Sequence, residues 1–189
     1  KPFAMDRDGF VLSEGAAMVV IETEESCTRR NQSPIAELIG FASNCDAKSL
    51  TSPELEGVSL AIQKALKDAE ISPIDVDCIN LYGTGTKLND QTEGAAIKKI
   101  FGNQIPLCSA NKSQLGHSMG AASAIEAVVS VLSIQHQIVP PSLNCQPADP
   151  VCHLQNLSPV SQKHKIQNVL SNSFAFGGSN ACLLFSSCN

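Results

Sequence analysis

The sequence predicts a layered α/β domain built on a mixed sheet, and three observations carry that expectation. Apolar, β-branched runs alternate along the chain with segments of helical periodicity, the pattern of strands covered by helices. One helical stretch, Ile125 to Ile134, is apolar nearly all round and so belongs between layers. The chain closes on two strand-like runs joined by Gly177-Gly178, which read as a hairpin.

Taken in order, Gly9 to Thr23 contains the run Met18-Val19-Val20-Ile21-Glu22, expected to be a strand buried on both faces. Glu24 to Asn31 reads as a short exposed helix and Ile35 to Ala42 as a second strand. A polar loop from Ser43 to Pro53 holds Thr51 and Ser52. From Glu54 to Ala69, apolar residues at Leu55, Val58, Ala61, Ile62, Ala65 and Leu66 keep helical spacing, and Pro53 suits the start. Ser72-Pro73 breaks this amphipathic helix. Val76 to Leu81 is then a strand running into Tyr82-Gly83-Thr84-Gly85-Thr86, a tight turn whose backbone can approach a ligand closely. Asn89 and Asp90 suit the cap of a helix over Gln91 to Phe101, with Gly102 as its stop.

The stretch Pro106 to Gln137 organises the rest. A buried strand ends at Cys108, a polar loop carries Lys112 and His117, and a helix begins among Gly, Ala and Ser residues that permit close backbone approach. Reactive groups gather at such strand ends in α/β proteins. The bland alternative is a solvated lysine and an ordinary helix-start histidine. Glu126 interrupts the apolar helix, and a buried carboxylate needs a partner. Beyond it, Ile138 to Asn144 is extended and stiffened by two prolines, and Cys145 to Ser161 is irregular.

Composition bounds the function. The 189 residues suffice for one domain with a good core, and 43% hydrophobic against 16% charged residues describes a globular chain whose surface is covered in unusual measure. A net charge of −5 argues against nucleic acid. No apolar run reaches membrane-spanning length, and the first residues have neither the basic nor the apolar region of a signal peptide. No metal-ligand spacing stands out. The eight cysteines (Cys27, Cys45, Cys78, Cys108, Cys145, Cys152, Cys182 and Cys188) form no CxxC pair and fit buried free thiols in a reducing cytoplasm.

Four blocks carry a resemblance over essentially the whole chain: DRDGFVLSEGA, YGTGTKLND, NKSQLGHSMGAASAIEA and SNSFAFGGSN. In this order and spacing they are similar to the C-terminal half of the β-ketoacyl-[acyl carrier protein] synthases. The resemblance implies a thiolase-like fold over 1–189, a layered, mixed five-stranded sheet with helices on both faces, with the cysteine-bearing N-terminal half lying outside this sequence. It implies that Lys112 is the active-site lysine, His117 the second histidine and Glu126 their supporting carboxylate. Thr84, Thr86 and Thr51 would bind the pantetheine arm. Phe174, Phe176 and Gly177 would form the gate and oxyanion loop.

The implied reaction is decarboxylative condensation of acyl and malonyl groups in fatty acid or polyketide synthesis, a cytoplasmic acyltransferase activity. It needs no cofactor beyond the phosphopantetheine of the acyl carrier protein, and no metal. Implied partners are the N-terminal half, a homologous ketosynthase subunit in a homo- or heterodimer, and the carrier protein. The helix start beside His117 is expected to lower the proton affinity of its imidazole.

Two departures matter. No cysteine here has the nucleophile's setting, Cys108 included, which reads as core. Tyr82 stands where the family has its first histidine. Ala175 in place of a glycine of the gating loop is a milder change. Loss of one oxyanion donor costs on the order of 3 kcal/mol. The chain therefore reads either as part of a condensing enzyme or as a chain-length-factor-like subunit that shapes a partner's acyl tunnel, with decarboxylation or acyl transfer without condensation as a third possibility. Half of such a molecule would expose apolar faces and associate.

Overall fold

The computed structural model describes residues 1–188. In chain order it forms α1 (Glu24–Arg29), β1 (Ala36–Cys45), α2 (Leu55–Asp68), β2 (Cys78–Asn80), α3 (Lys87–Phe101), β3 (Leu107–Ser109), α4 (Lys112–Leu115), α5 (Ala122–His136), β4 (Ile138–Val139), β5 (Gln162–Lys163), β6 (Asn168–Ala175) and β7 (Ser179–Ser187). Five strands make a mixed sheet in the order β1-β7-β6-β2-β3, and β4 and β5 form a small antiparallel ribbon. The strands β1, β7 and β6 are antiparallel, whereas β2 runs parallel to both β6 and β3. The carboxyl ends of β2 and β3 therefore lie side by side, and they deliver Tyr82 and Lys112 to one edge of the layer.

Helices cover both faces, as expected. On one face α2 and α3 bury Val58, Ile62, Ala65, Ile97 and Phe101 against Ile79, Leu81 and Leu184. The fit is close at Gly40 of β1, where a Cβ would lie 2.7 Å from Cβ of Ala69. On the other face α5 packs Ala127 and Ile134 against Cys78, Val169 and Phe185. The hairpin turns through Phe176–Gly178, with Gly177 at φ 79°, a conformation that favours glycine.

Several expectations need correction. Met18 to Ile21 is not a buried strand: Met18 is 90% and Val20 83% exposed, and the segment pairs with no other strand among the described residues. A β-branched run becomes a strand only where a neighbour accepts its hydrogen bonds and layers cover its faces. The third helix starts at Lys87, with Thr86 in the extended N-cap position, so Asn89 and Asp90 are not its caps. Asp90 is buried instead, taking the N–H groups of Phe3 (2.7 Å) and Gly85 (3.2 Å).

The fifth helix begins at Ala122 after a 3₁₀ turn over Met119–Ala121, and it is covered on one side only. Glu126, Ala127, Ser130, Ser133 and Ile134 are buried, while Leu132 is exposed. The N-terminal residues, to which the periodicity assigned no element, are anchored in the core. Phe3 is fully buried, and Arg7 binds the Ala4 carbonyl (2.7 Å) and Asp149 (2.6 Å), with its Nε 3.3 Å from Asp90. All eight cysteines are free thiols, and Cys108 is core as expected, although Cys45 is exposed. Among the described residues no helix is long and apolar enough to cross a membrane.

Candidate active site

The end of β2 and the end of β3 each turn sharply, and the two turns face one another. Tyr82 leaves β2 with its backbone held from below: the Tyr82 and Gly83 N–H groups both donate to Glu93 of α3, each at 2.9 Å. Asn172 of β6 donates to the same carboxylate at 3.1 Å. Glu93 is fully buried, and burial pushes its carboxyl up to about 7 against the pull of these three donors. Periodicity gave no hint of this residue. An acidic residue on the covered face of α3, eleven positions after Tyr82, was the available clue.

Lys112 opens α4 directly after β3. Its ammonium is buried, pairs with the Glu126 carboxylate of α5, and lies 4.2 Å from the centroid of the Tyr82 ring. The buried carboxylate thus has the partner its position demands, and the solvated-lysine alternative is excluded. The other oxygen, Oε2, is buried without a hydrogen bond. Burial raises the Glu126 carboxyl, and Lys112 draws it back. The crevice beside the pair measures about 10 Å³, at the lower limit for a single water, so the two charges are packed into the protein.

His117 follows Gly116 at the end of α4. The segment Val11–Ser13 runs alongside it, with the Val11 carbonyl accepting the His117 N–H at 2.7 Å and Phe10 packing edge-on at 5.0 Å between ring centroids. The Met119 N–H donates to Nδ1 at 3.1 Å, which puts the proton of a neutral ring on Nε2. That nitrogen lies 3.1 Å from the Tyr82 hydroxyl. The imidazole is held down to about 4, as expected in direction but not in cause. Burial is the larger contribution and the Lys112 ammonium the second. Burial, with the charges of Glu126 and Glu93, lifts the Tyr82 phenol to about 12.

The remaining expected residues sit around this centre to different degrees. Phe174 is buried against Tyr82, with ring centroids 5.9 Å apart, whereas Phe176 at the hairpin tip is 63% exposed. Thr84 and Thr86 share a hydroxyl hydrogen bond of 2.8 Å in the turn after Tyr82. Thr51 lies exposed on the loop after β1, a loop tied to the hairpin turn by the Gly177 N–H donating to the Leu50 carbonyl at 2.8 Å.

The family profile "Beta-ketoacyl synthase, C-terminal domain" matches residues 35–146. The chain belongs to the β-ketoacyl synthase family. It is 44% identical over 188 residues to nodulation protein E of Rhizobium sp. (strain N33), covering 98% of this chain and 46% of that protein. To 3-oxoacyl-[acyl-carrier-protein] synthase 2 of Coxiella burnetii it is 44% identical over 190 residues, with 98% and 46% covered. The solved ishigamide ketosynthase/chain length factor superposes with a TM-score of 0.97 at 40% identity, over 100% of this chain and 47% of that one. The chain spans about half the length of the curated relatives it matches. The five-stranded layer described above is thus a thiolase-like ketosynthase layer.

Proposed function

We propose that this chain supplies the decarboxylating side of a β-ketoacyl synthase active site, which condenses an acyl group with malonyl carrier protein in fatty acid or polyketide synthesis. The observation that carries the reading is the setting of Tyr82, whose hydroxyl lies 3.1 Å from His117 Nε2 and whose ring lies 4.2 Å from the Lys112 ammonium, with Glu126 behind the lysine and Glu93 behind the tyrosine. In the reaction the malonyl C–C bond breaks and carbon dioxide leaves. The electron pair moves into the thioester carbonyl as an enolate, whose carbon then attacks the acyl thioester and expels the thiolate.

An enolate oxygen requires preorganised donors in a dry setting. His117 is neutral and gives its Nε2 proton to the phenol oxygen, so the phenol proton is the donor available to an incoming thioester oxygen. Lys112 places a fixed positive charge behind it. Thr84, Thr86 and Thr51 are the pantetheine contacts in this reading, and Phe174, Phe176 and Gly177 the gate and oxyanion loop. The acylated cysteine comes from an N-terminal ketosynthase half, and the assembly works as a cytoplasmic dimer with a homologous subunit and the acyl carrier protein. Phosphopantetheine enters with the substrate, and the chain holds no cofactor or metal of its own.

A second reading is favoured by one observation: the Tyr82 hydroxyl occupies the His117 nitrogen that the reaction would use. In that reading the chain is a chain-length-factor-like subunit shaping a partner's acyl tunnel. Intact mass spectrometry of the native complex separates the two, with long-chain acyl carrier protein added first and malonyl carrier protein second. An acyl adduct on the cysteine-bearing half, followed by an elongated product, supports condensation. No adduct in the site containing Tyr82, with the subunit still bound to an active ketosynthase, overturns it in favour of the tunnel-shaping role.

A further inference from the structure

Two buried asparagines link the same two places in the chain that the Lys112–Glu126 ion pair joins. Asn111, directly before Lys112, donates from Nδ2 to Oδ1 of Asn80 at 2.7 Å. Asn80, on β2, donates from its own Nδ2 to the backbone carbonyl of Glu126 at 2.7 Å and to the Ser130 hydroxyl at 3.0 Å. Ser130 donates to that same Glu126 carbonyl at 2.8 Å, and Ser109 donates to Asn111 Oδ1 at 3.3 Å. Asn80 and Asn111 are 2% and 3% exposed. The result is a closed ring: side chain to side chain through the ion pair, backbone to backbone through the amides.

An ion pair fixes the separation of its charges but not their place, because four methylenes let a lysine ammonium move with its partner. The amide relay has one polarity throughout and no slack, since each amide is satisfied by buried groups. We infer that Asn80 and Asn111 are positioning residues that hold the Lys112 ammonium over Tyr82 and beside His117. The inference rests on the proposed reading of Lys112 and His117 as the working pair. Lys112 and Tyr82 are the titratable groups nearest His117, with Glu126 behind Lys112 and Glu93 behind Tyr82; the other neighbours are Phe10 and the Val11–Ser13 backbone.

The test replaces Asn111 by Leu, of similar volume, in the full native protein, and follows the His117 imidazole by NMR together with condensation kinetics. If the relay positions Lys112, the ammonium drifts and the His117 titration midpoint rises by about one unit, because a nearby positive charge is what helps to hold it low. The kcat then falls by about tenfold to a hundredfold with KM for the carrier protein unchanged, as expected for misplacement of a group in the site. Ser133→Ala, which removes a 2.9 Å bond to the Val129 carbonyl on α5 outside the relay, leaves both readouts alone. If Asn111→Leu does not fold, Asn111→Ala is read in the same way. A folded variant with an unmoved His117 midpoint overturns the inference even when condensation is slowed. A shifted midpoint in a protein whose wild type never condenses supports the positioning role and overturns the proposed function instead.

Discussion

The Tyr82 hydroxyl stands 3.1 Å from Nε2 of His117, while the Met119 N–H occupies Nδ1, so both nitrogens of the imidazole are committed within the protein. The two rings meet edge-on, with an interplanar angle of 89°. Tyrosine places a phenol there whose proton is not needed by the ring, and this turns the pair into a relay pointing away from His117. The chemistry of the site follows from that relay.

The first consequence is a histidine that stays neutral in mild acid. Burial and then Lys112 lower the His117 imidazole to about 4. A folded-state value below the unfolded value of about 6.5 means the stabilising contribution is fully present above that pH and is lost as pH falls through about 4. Histidine NMR should show the His117 imidazole titrating below about pH 5. His117→Gln should remove the loss of stability over that window. A His117 inflection near pH 6.5 contradicts this electrostatic picture.

Lys112 and Glu126 should behave as one buried unit. Glu126→Leu leaves an unpaired ammonium in the core and is expected to destabilise the fold by roughly 3–5 kcal/mol. Adding Lys112→Met should recover most of that loss, because the pair removed together leaves no stranded charge. Urea denaturation of the two variants measures the difference, and equal destabilisation by single and double variants contradicts a buried pair.

Glu93→Gln tests the support beneath Tyr82. The carboxylate accepts three N–H groups, and a carboxamide turns one acceptor into a donor, at a cost of about 1–3 kcal/mol. The pH dependence has the opposite sense to that of His117. A carboxyl raised to about 7 in the folded state contributes stability that is full below its unfolded value and is lost as pH rises through about 7. The Gln variant should therefore lose this slope between about pH 4.5 and 7. An unchanged slope contradicts the assignment.

Met18 and Val20 predict association. The segment is extended, apolar and without a strand partner among the described residues. A polypeptide of residues 1–189 should self-associate in light scattering, and Met18→Glu with Val20→Lys should suppress it. A monodisperse monomer before substitution contradicts the interpretation.

The strongest periodicities were legible from residues alone. Leu55 to Leu66 had to be an amphipathic helix, and the Gly177-Gly178 hairpin needed no other information. The site was legible in its members, since the blocks that placed Lys112, His117 and Glu126 are local motifs. Its supports were not: Glu93, Asn172 and the Asn80–Asn111 amides act across distances in sequence that no periodicity registers. Met18 to Ile21 misled for the complementary reason, because a β-branched run records a preference for being covered and not the presence of what covers it. Asp90 looked like a cap because its type fits one, yet its partners include Phe3 and Arg7, more than eighty residues away.

The central claim is that the Tyr82 hydroxyl replaces the missing histidine as the donor to the developing enolate. The most direct measurement is the condensation rate of Tyr82→Phe against wild type, in the native complex with acyl and malonyl carrier proteins. Removing the hydroxyl keeps the ring against Phe174 and beneath Lys112, and should cost roughly a hundredfold to a thousandfold in rate without weakening carrier-protein binding. A phenylalanine variant that condenses as fast as wild type contradicts the claim and removes Tyr82 from the chemistry.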